Sequence, residues 1–273
     1  MQTNPTQQRQ NMRIDLHNHT TLCRHATGTM EEYIALAVQK KIDVFGFSCH
    51  APMAFDEAYR MSKDELPSYC EKIESFKTNY QGQIHILCGL EVDYISNKEY
   101  LIESQVLEYP FDYLIGSVHF LDNWGFDNPE FIGKYAQINM EQCWEKYLHS
   151  IAQMAQTGLF QIVGHIDLLK LFGHTLPDSQ IPNLNLALES IADNHLAIEL
   201  NPAGLRKPIK EAYPSAQILQ KAYKKGIPIT FGSDAHALEH IGFGYEKLCH
   251  LAKSIGYTHA LYFTNKQPVS VRI

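Results

Sequence analysis

The chain lacks any apolar run approaching the roughly 18 residues of a membrane span, and its Gln/Asn/Thr-rich first eleven residues lack the apolar core of a signal peptide. Residues 1–11 are therefore expected to be a disordered leader, and the protein to be cytoplasmic with no membrane partner. A basic excess is missing as well: 23 Lys and Arg stand against 30 Asp and Glu, for a formal net charge of −7. Nucleic acid, which demands a basic face to neutralise phosphates, is not an expected partner. Overall acidity still leaves room for a local cationic pocket. None of the six cysteines (Cys23, Cys49, Cys70, Cys88, Cys143, Cys249) has C-x-x-C spacing, so small buried thiols are expected in place of disulfides or a zinc ribbon. No fixed-period repeat, low-complexity tract or Pro/Gly/Ser linker divides the sequence, and one domain is expected over 12–273.

What the chain does have is enough apolar material for a large core, 45% hydrophobic over 273 residues, a size typical of a one-domain α/β barrel. Short β-type runs alternate with longer amphipathic stretches. The pattern predicts strands at 12–17, 43–49, 84–91, 113–119, 161–166, 197–201 and 228–233, with a weaker eighth at 260–264. Helices are predicted at 29–41, 62–80, 98–108, 134–157, 183–194, 214–225 and 242–255, the first opened by a capping box of Thr29 and Glu32. Repeated βα units of this kind build a parallel sheet. A long loop over 120–133 follows the fourth strand, and such loops carry barrel active sites.

Seven of the fourteen histidines, with one Glu and one Asp, sit at or just past the ends of these predicted strands: His17, His19, His25, His50, Glu91, His119, His165, Asp234 and His236. Neutral imidazoles and carboxylates are the ligands that borderline and hard divalent cations prefer. In His17-x-His19 and Asp234-x-His236 the two side chains share one face of an extended segment and can chelate one ion. Glu91 is the carboxylate best placed to bridge two ions. A single strand-end histidine is usually a hydrogen-bonded structural residue, but buried imidazoles and carboxylates clustered without metal would carry a large desolvation cost. His85, His149, His174, His195, His240, His250 and His259 fall in helices, strand starts or turns, where a solvated face is expected for most; His174 and His240 lie near the mouth.

This set resembles the PHP (polymerase and histidinol phosphatase) superfamily, whose nine ligands it matches without a gap over about residues 12–265. The segments Leu22-Cys23-Arg24-His25-Ala26-Thr27-Gly28, Gly116-Ser117-Val118-His119-Phe120 through Trp124-Gly125-Phe126-Asp127, and Asn201-Pro202-Ala203-Gly204-Leu205-Arg206-Lys207 are similar to the histidinol-phosphatase branch. The resemblance implies a distorted (β/α)7 barrel, three divalent ions (Zn, Fe or Mn) and hydrolysis of a small phosphate monoester, L-histidinol phosphate, in histidine biosynthesis. It would place His17, His19, Glu91 and Asp234 on the first ion, His25, His50 and His236 on the second, and Glu91, His119 and His165 on the third. Three dications less two carboxylates and a hydroxide leave a site of about +3, which calls for an anion.

Asp234, His236 and Arg206 are the expected catalytic residues, Asp234 by accepting the proton of the attacking hydroxide. Arg206, Lys170 and Lys207 are expected on the phosphate, and Trp124, Phe126 or Asp127 on the rest of the substrate. Departures from the branch pattern are Lys170 for the usual Arg, Cys49 for the usual Asp before His50, and Asn201-Pro202-Ala203 for Asn-Thr-Ser. A related phosphoesterase acting on a nucleotide or another small ester is the alternative reading. An amidohydrolase barrel would place a metal-bridging Lys at a middle strand, where Glu91 and His119 stand here. A structural metal site would be closed and local in sequence.

Overall fold

The computed structural model describes residues 11–273; the expected leader lies outside the described residues but for Asn11. Seven parallel strands form the central sheet: β1 (Ile14–Asp15), β2 (Val44–Phe47), β3 (His85–Asp93), β4 (Tyr113–Ser117), and, after a small hairpin of β5 (Phe120–Leu121) and β6 (Trp124–Gly125), β7 (Ile162–Val163), β8 (Ala197–Leu200) and β9 (Ile229–Phe231). Their order is the chain order. The ends meet where Leu16 N–H donates to the Phe231 carbonyl at 2.9 Å and Asn18 pairs with Ala235, so the sheet curls into a nearly closed barrel. Strands β2, β4, β7, β8 and β9 are buried at every residue, the mark of a parallel sheet covered on both faces.

Helices α1 (Met30–Gln39), α2 (Leu66–Asn79), α3 (Ser104–Glu108), α4 (Met140–Gln156), α5 (Ile181–Asp193), α6 (Ala216–Lys224) and α7 (Tyr245–Ile255) connect the strands. The Thr29/Glu32 capping box is present at α1. The architecture is thus the distorted seven-stranded α/β barrel that the alternating pattern predicts. Most helices are trimmed at their ends relative to the predicted spans, and two change in character. Met53 forms an antiparallel bridge with Ile102, which draws Ile102 into extended backbone and splits 98–108 into a short turn and α3. Residues Pro129–Gln137 form 3-10 turns, and α4 starts only after Asn139, whose side chain accepts from Glu141 N and Gln142 N.

The expected eighth strand is a strand, but not of the barrel. Residues His259–Thr264 (β10) pair antiparallel with Gln267–Arg272 (β11). Asn265 and Lys266 between them both have positive φ, 51° and 64°, the backbone of a tight hairpin turn. With β1 and β9 already joined there is no free barrel edge to extend. The hairpin instead covers the opening opposite the strand C-termini: the Arg272 carbonyl accepts from Met12 N–H ahead of β1, and Lys266 N–H donates to the Asp112 carbonyl ahead of β4.

Candidate active site

The strand C-terminal ends open into a cavity of about 530 Å³. His17 and His19 leave β1, His50 follows β2, Glu91 stands near the end of β3, His119 follows β4, His165 follows β7, and Asp234 and His236 follow β9. His25 reaches the same cavity from the loop after β1. The structure therefore brings all nine expected ligands together, from positions up to 219 residues apart in the chain.

Their donor atoms fall into groups within 4.8 Å: His17, His19 and Asp234; His19, His50 and His236; and Glu91, His119 and His165. Glu91 Oε2 lies 3.4 Å from His17 Nε2 and 3.5 Å from His19 Nε2. Its Oε1 lies 3.0 Å from His165 Nε2. One carboxylate thus faces both the first and the third group, as a bridge between ions must. The second group departs in detail: His25 clusters with His236 and Cys23, not with His50.

Hydrogen bonds to the far side of three of the rings fix which nitrogen is free. Glu199 Oε1 accepts from His17 Nδ1 at 2.6 Å, Asp93 Oδ1 from His119 Nδ1, and the Cys23 carbonyl from His25 Nδ1 at 2.7 Å. Acceptors without protons assign the hydrogen to Nδ1 and leave the Nε2 lone pair toward the cavity. His17 Nε2, both nitrogens of His19 and His165 Nδ1 are buried with no partner. His119 Nε2 and His165 Nε2 stand 3.2 Å apart, both beside Glu91 Oε1. Without metal, protons must lie among these crowded atoms; a divalent cation can take their place, so the donor set fits divalent metal.

Electrostatics without metal carry the same message. Burial opposes charge on His119, yet Asp93 and Glu91 push it up to about 10. His17 is likewise raised against burial by Glu199, Glu91 and Asp234. Burial and neighbouring imidazoles hold His50 and His236 far below the ordinary range. Against the pull of burial, the imidazoles keep Glu91 and Asp234 well below the usual carboxylate range.

Glu199 and Asp93 escaped the sequence reading. Glu199 anchors three elements: besides His17, its Oε2 accepts from His165 N–H and Asn201 Nδ2, both at 3.0 Å. A Cβ on Gly232 would run into the Glu199 carboxylate and His17 Cβ, which is why glycine follows β9 directly. Asp15 accepts from Ser233 N and Gly242 N and pins the loop that carries Asp234, itself at φ 51°. The available signal was a lone acid inside an apolar strand, as in Ala197-Ile198-Glu199-Leu200.

Arg206 lines the cavity with its Nη2 held by the Ser233 and Asp234 carbonyls at 3.0 and 2.9 Å, and its guanidinium over the Phe243 ring. Its Nη1 is buried without a partner. Lys207 and Asp127 also line the cavity, and burial pushes the Asp127 carboxyl above its ordinary value. His240 is at the mouth, whereas His174 stacks on Tyr135 outside the cavity lining.

Three expected substrate contacts are corrected. Lys170 is 2% exposed and points away from the cavity: its Nζ binds Asp167 at 2.8 Å, Glu211 at 2.6 Å and the Ala212 carbonyl at 2.8 Å. Its charge is neutralised inside the loop scaffold, so it does not contact phosphate. Trp124 is buried against Phe126 and Tyr135 and staples the long loop; Phe126 is fully buried too. Neither faces the cavity. Cys49 lies beside Thr20 Oγ1 at 3.2 Å and groups with His19 and Cys23, so a thiol occupies the place of the usual carboxylate.

The PHP domain family matches residues 15–203, and a PHP-associated family matches 216–251. A protein of Deinococcus radiodurans named probable histidinol-phosphatase is 38% identical over 89% of this chain and 93% of its own length. The histidinol-phosphatase of Bacillus subtilis is 32% identical, covering 85% of this chain and 96% of that protein. The crystal structure of histidinol phosphate phosphatase from Lactococcus lactis, complexed with zinc, L-histidinol and phosphate, aligns with a TM-score of 0.82 over 94% of this chain and 98% of that chain. At 21% identity that likeness carries the fold.

Proposed function

The chain belongs to the PHP domain family, and from that premise we propose that it is a metal-dependent phosphatase that hydrolyses L-histidinol phosphate to L-histidinol and phosphate in histidine biosynthesis. The observation that carries the reading is the convergence of nine nitrogen and oxygen donors in one cavity that Arg206 and Lys207 also line. Histidinol phosphatases among the relatives, and the L-histidinol and phosphate in the Lactococcus lactis complex, support the substrate.

His17, His19, Glu91 and Asp234 would hold one divalent ion, His25, His50 and His236 a second, and Glu91, His119 and His165 a third. Zinc, iron and manganese all suit this donor set. When bound, such ions acidify water toward neutral pKa and stabilise charge on phosphoryl oxygens. The chain's own groups then do the following. Arg206 and Lys207, which line the same cavity, grip the non-bridging phosphate oxygens. The phosphate is thereby oriented for in-line displacement with no covalent enzyme intermediate. Asp234, whose Oδ2 is 3.3 Å from Asn201 Nδ2, accepts the proton of the attacking water, and His236 is held beside it. Glu199 and Asp93 keep the imidazoles in the required tautomer.

Residues 12–273 act as one catalytic unit, since the PHP-associated segment 216–251 supplies Asp234 and His236 to the site. No helix among the described residues is long and apolar enough to cross a membrane, and we place the enzyme in the cytoplasm with its small-molecule substrate. Stripping the protein with a chelator should abolish phosphate release from L-histidinol phosphate, and Mn, Zn or Fe should restore it. Unchanged turnover in metal-free protein would end the proposal.

A further inference from the structure

We infer a further metal site in this chain: Cys23, Cys49 and His19 together hold a thiophilic dication, zinc by the chemistry of the donors, in a closed pocket behind the open cavity. Three of the imidazoles at the cavity have an oxygen acceptor behind them, Glu199 for His17, Asp93 for His119 and the Cys23 carbonyl for His25. His19 has none. Its Nε2 faces Asp234 Oδ1 at 3.4 Å and Glu91 Oε2 at 3.5 Å, which leaves Nδ1, buried and without a hydrogen-bond partner. What stands beside this ring is sulfur: a His19 nitrogen, Cys23 Sγ and Cys49 Sγ all lie within 4.8 Å of one another. Two thiolates on one zinc ion can be at most about 4.6 Å apart, since each Zn–S bond is about 2.3 Å. The three donors already have nearly the dimensions of a ligand set.

The local fold brings the sulfurs together from two elements. Thr20 caps the turn Thr21–Cys23, the Cys23 N–H donates to the Thr20 carbonyl at 3.1 Å, and Arg24 ends the turn at φ 71°. That tight turn aims Cys23 inward, with the backbone N–H groups of His25 and Ala26 facing its sulfur. Cys49 follows the end of β2, where its N–H donates to Tyr69 Oη at 3.4 Å and Tyr69 in turn donates to the Gly89 carbonyl. Thr20 Oγ1 donates to Cys49 Sγ at 3.2 Å, and in the metal-free protein the Cys49 proton can turn to the Thr20 carbonyl at 3.7 Å. Both sulfurs thus face donors, surroundings that suit a thiolate. Cys23, Cys49 and His19 are each 0% exposed. The pocket is closed, as structural zinc sites are, whereas catalytic sites keep an open position. Binding releases the two thiol protons and the Nδ1 proton of His19, so that this imidazole carries one ion on each nitrogen. The two thiolates neutralise the dication, and their softness favours zinc over manganese. The ion clasps the turn that carries His25 to the segment that carries His50.

The test uses reduced full-length protein and reads metal in place of turnover, so its outcome is separate from that of the phosphatase reading. After loading with zinc, dialysis against a chelator should empty the open cavity and leave about one zinc per chain in the closed pocket. Titration of the thiols with an organomercurial should then release that ion, followed with a metallochromic dye. Cys49→Ser should fail to retain it. Cadmium in place of zinc should give an ultraviolet thiolate-to-cadmium charge-transfer band in native protein and in Cys70→Ser, and no such band in the Cys23→Ser/Cys49→Ser double variant. Absence of retained zinc, zinc that the organomercurial does not release, or a band that survives the double substitution would overturn the site. The release assay is made on native protein, so it decides even where a variant fails to fold.

Discussion

An imidazole proposed to hold metal is only as good as the group behind it, and here Glu199 orients His17 while Asp93 orients His119. Glu199→Gln keeps the shape but can present its amide N–H in place of an acceptor, which releases the His17 tautomer and leaves His165 N–H with a weaker partner. Loss of such outer contacts typically costs about 10-fold to 100-fold in metal affinity. Isothermal titration of the stripped variant should show that loss at the first ion, with little change in secondary structure; affinity equal to native would remove Glu199 from this role. At this scale the sequence was unevenly legible. The expected ligands stood out because H-x-H and D-x-H are local patterns that repeat at strand ends. Glu199 did not, because its relation to His17 spans 182 residues and no spacing marks it. Trp124 was ambiguous for a physical reason: an aromatic on an active-site loop can face substrate or staple the loop, and only packing decides.

Between elements, the correction at Lys170 assigns it a different duty. It sits at the end of the turn Leu168–Lys170 and ties that turn through Asp167 and Glu211 to the segment that runs to Tyr213, under whose ring its Nζ lies at 5.3 Å. Positive charge was readable at this position, but burial was not, and burial converts a phosphate-binding candidate into a tether. Lys170→Met leaves the Asp167 carboxylate buried without its cation, and breaking one partner of a buried pair costs about 3 kcal/mol or more. Urea unfolding should show a loss of that order, while KM for the phosphate ester stays near native in the folded fraction. A large KM rise without loss of stability would return Lys170 to the phosphate. Elsewhere the order of strands and helices followed from hydrophobic period alone, as in β2, β4 and β8. Boundaries slipped where tertiary pairing overrode local preference, at the Met53–Ile102 bridge and at the hairpin of β10 and β11.

For the molecule as a whole, the site is a concentration of charge that metal must balance. In the metal-free protein His119 is pushed up to about 10 from 6.5. A base raised in the folded state contributes stability that is fully present below its unfolded pKa and is lost as pH rises through the folded value. Metal-free protein should therefore lose thermal stability from this group between about pH 6.5 and pH 10. On the proposed ligand set, bound metal would replace the proton on Nε2, with an affinity that rises as the ligands deprotonate. Melting curves across that range, with and without chelator, should diverge increasingly toward high pH; parallel curves would show that His119 carries no such linkage.

The central claim is that this barrel uses its metal centre on L-histidinol phosphate. The most direct measurement is kcat/KM for phosphate release from that ester beside p-nitrophenyl phosphate and a nucleoside monophosphate, in metal-loaded and chelated protein. The account predicts a preference of at least about 100-fold, equivalent to about 2.7 kcal/mol of transition-state discrimination, lost entirely on chelation. Chelator-sensitive release from the other esters alone would keep the metal centre and contradict the substrate.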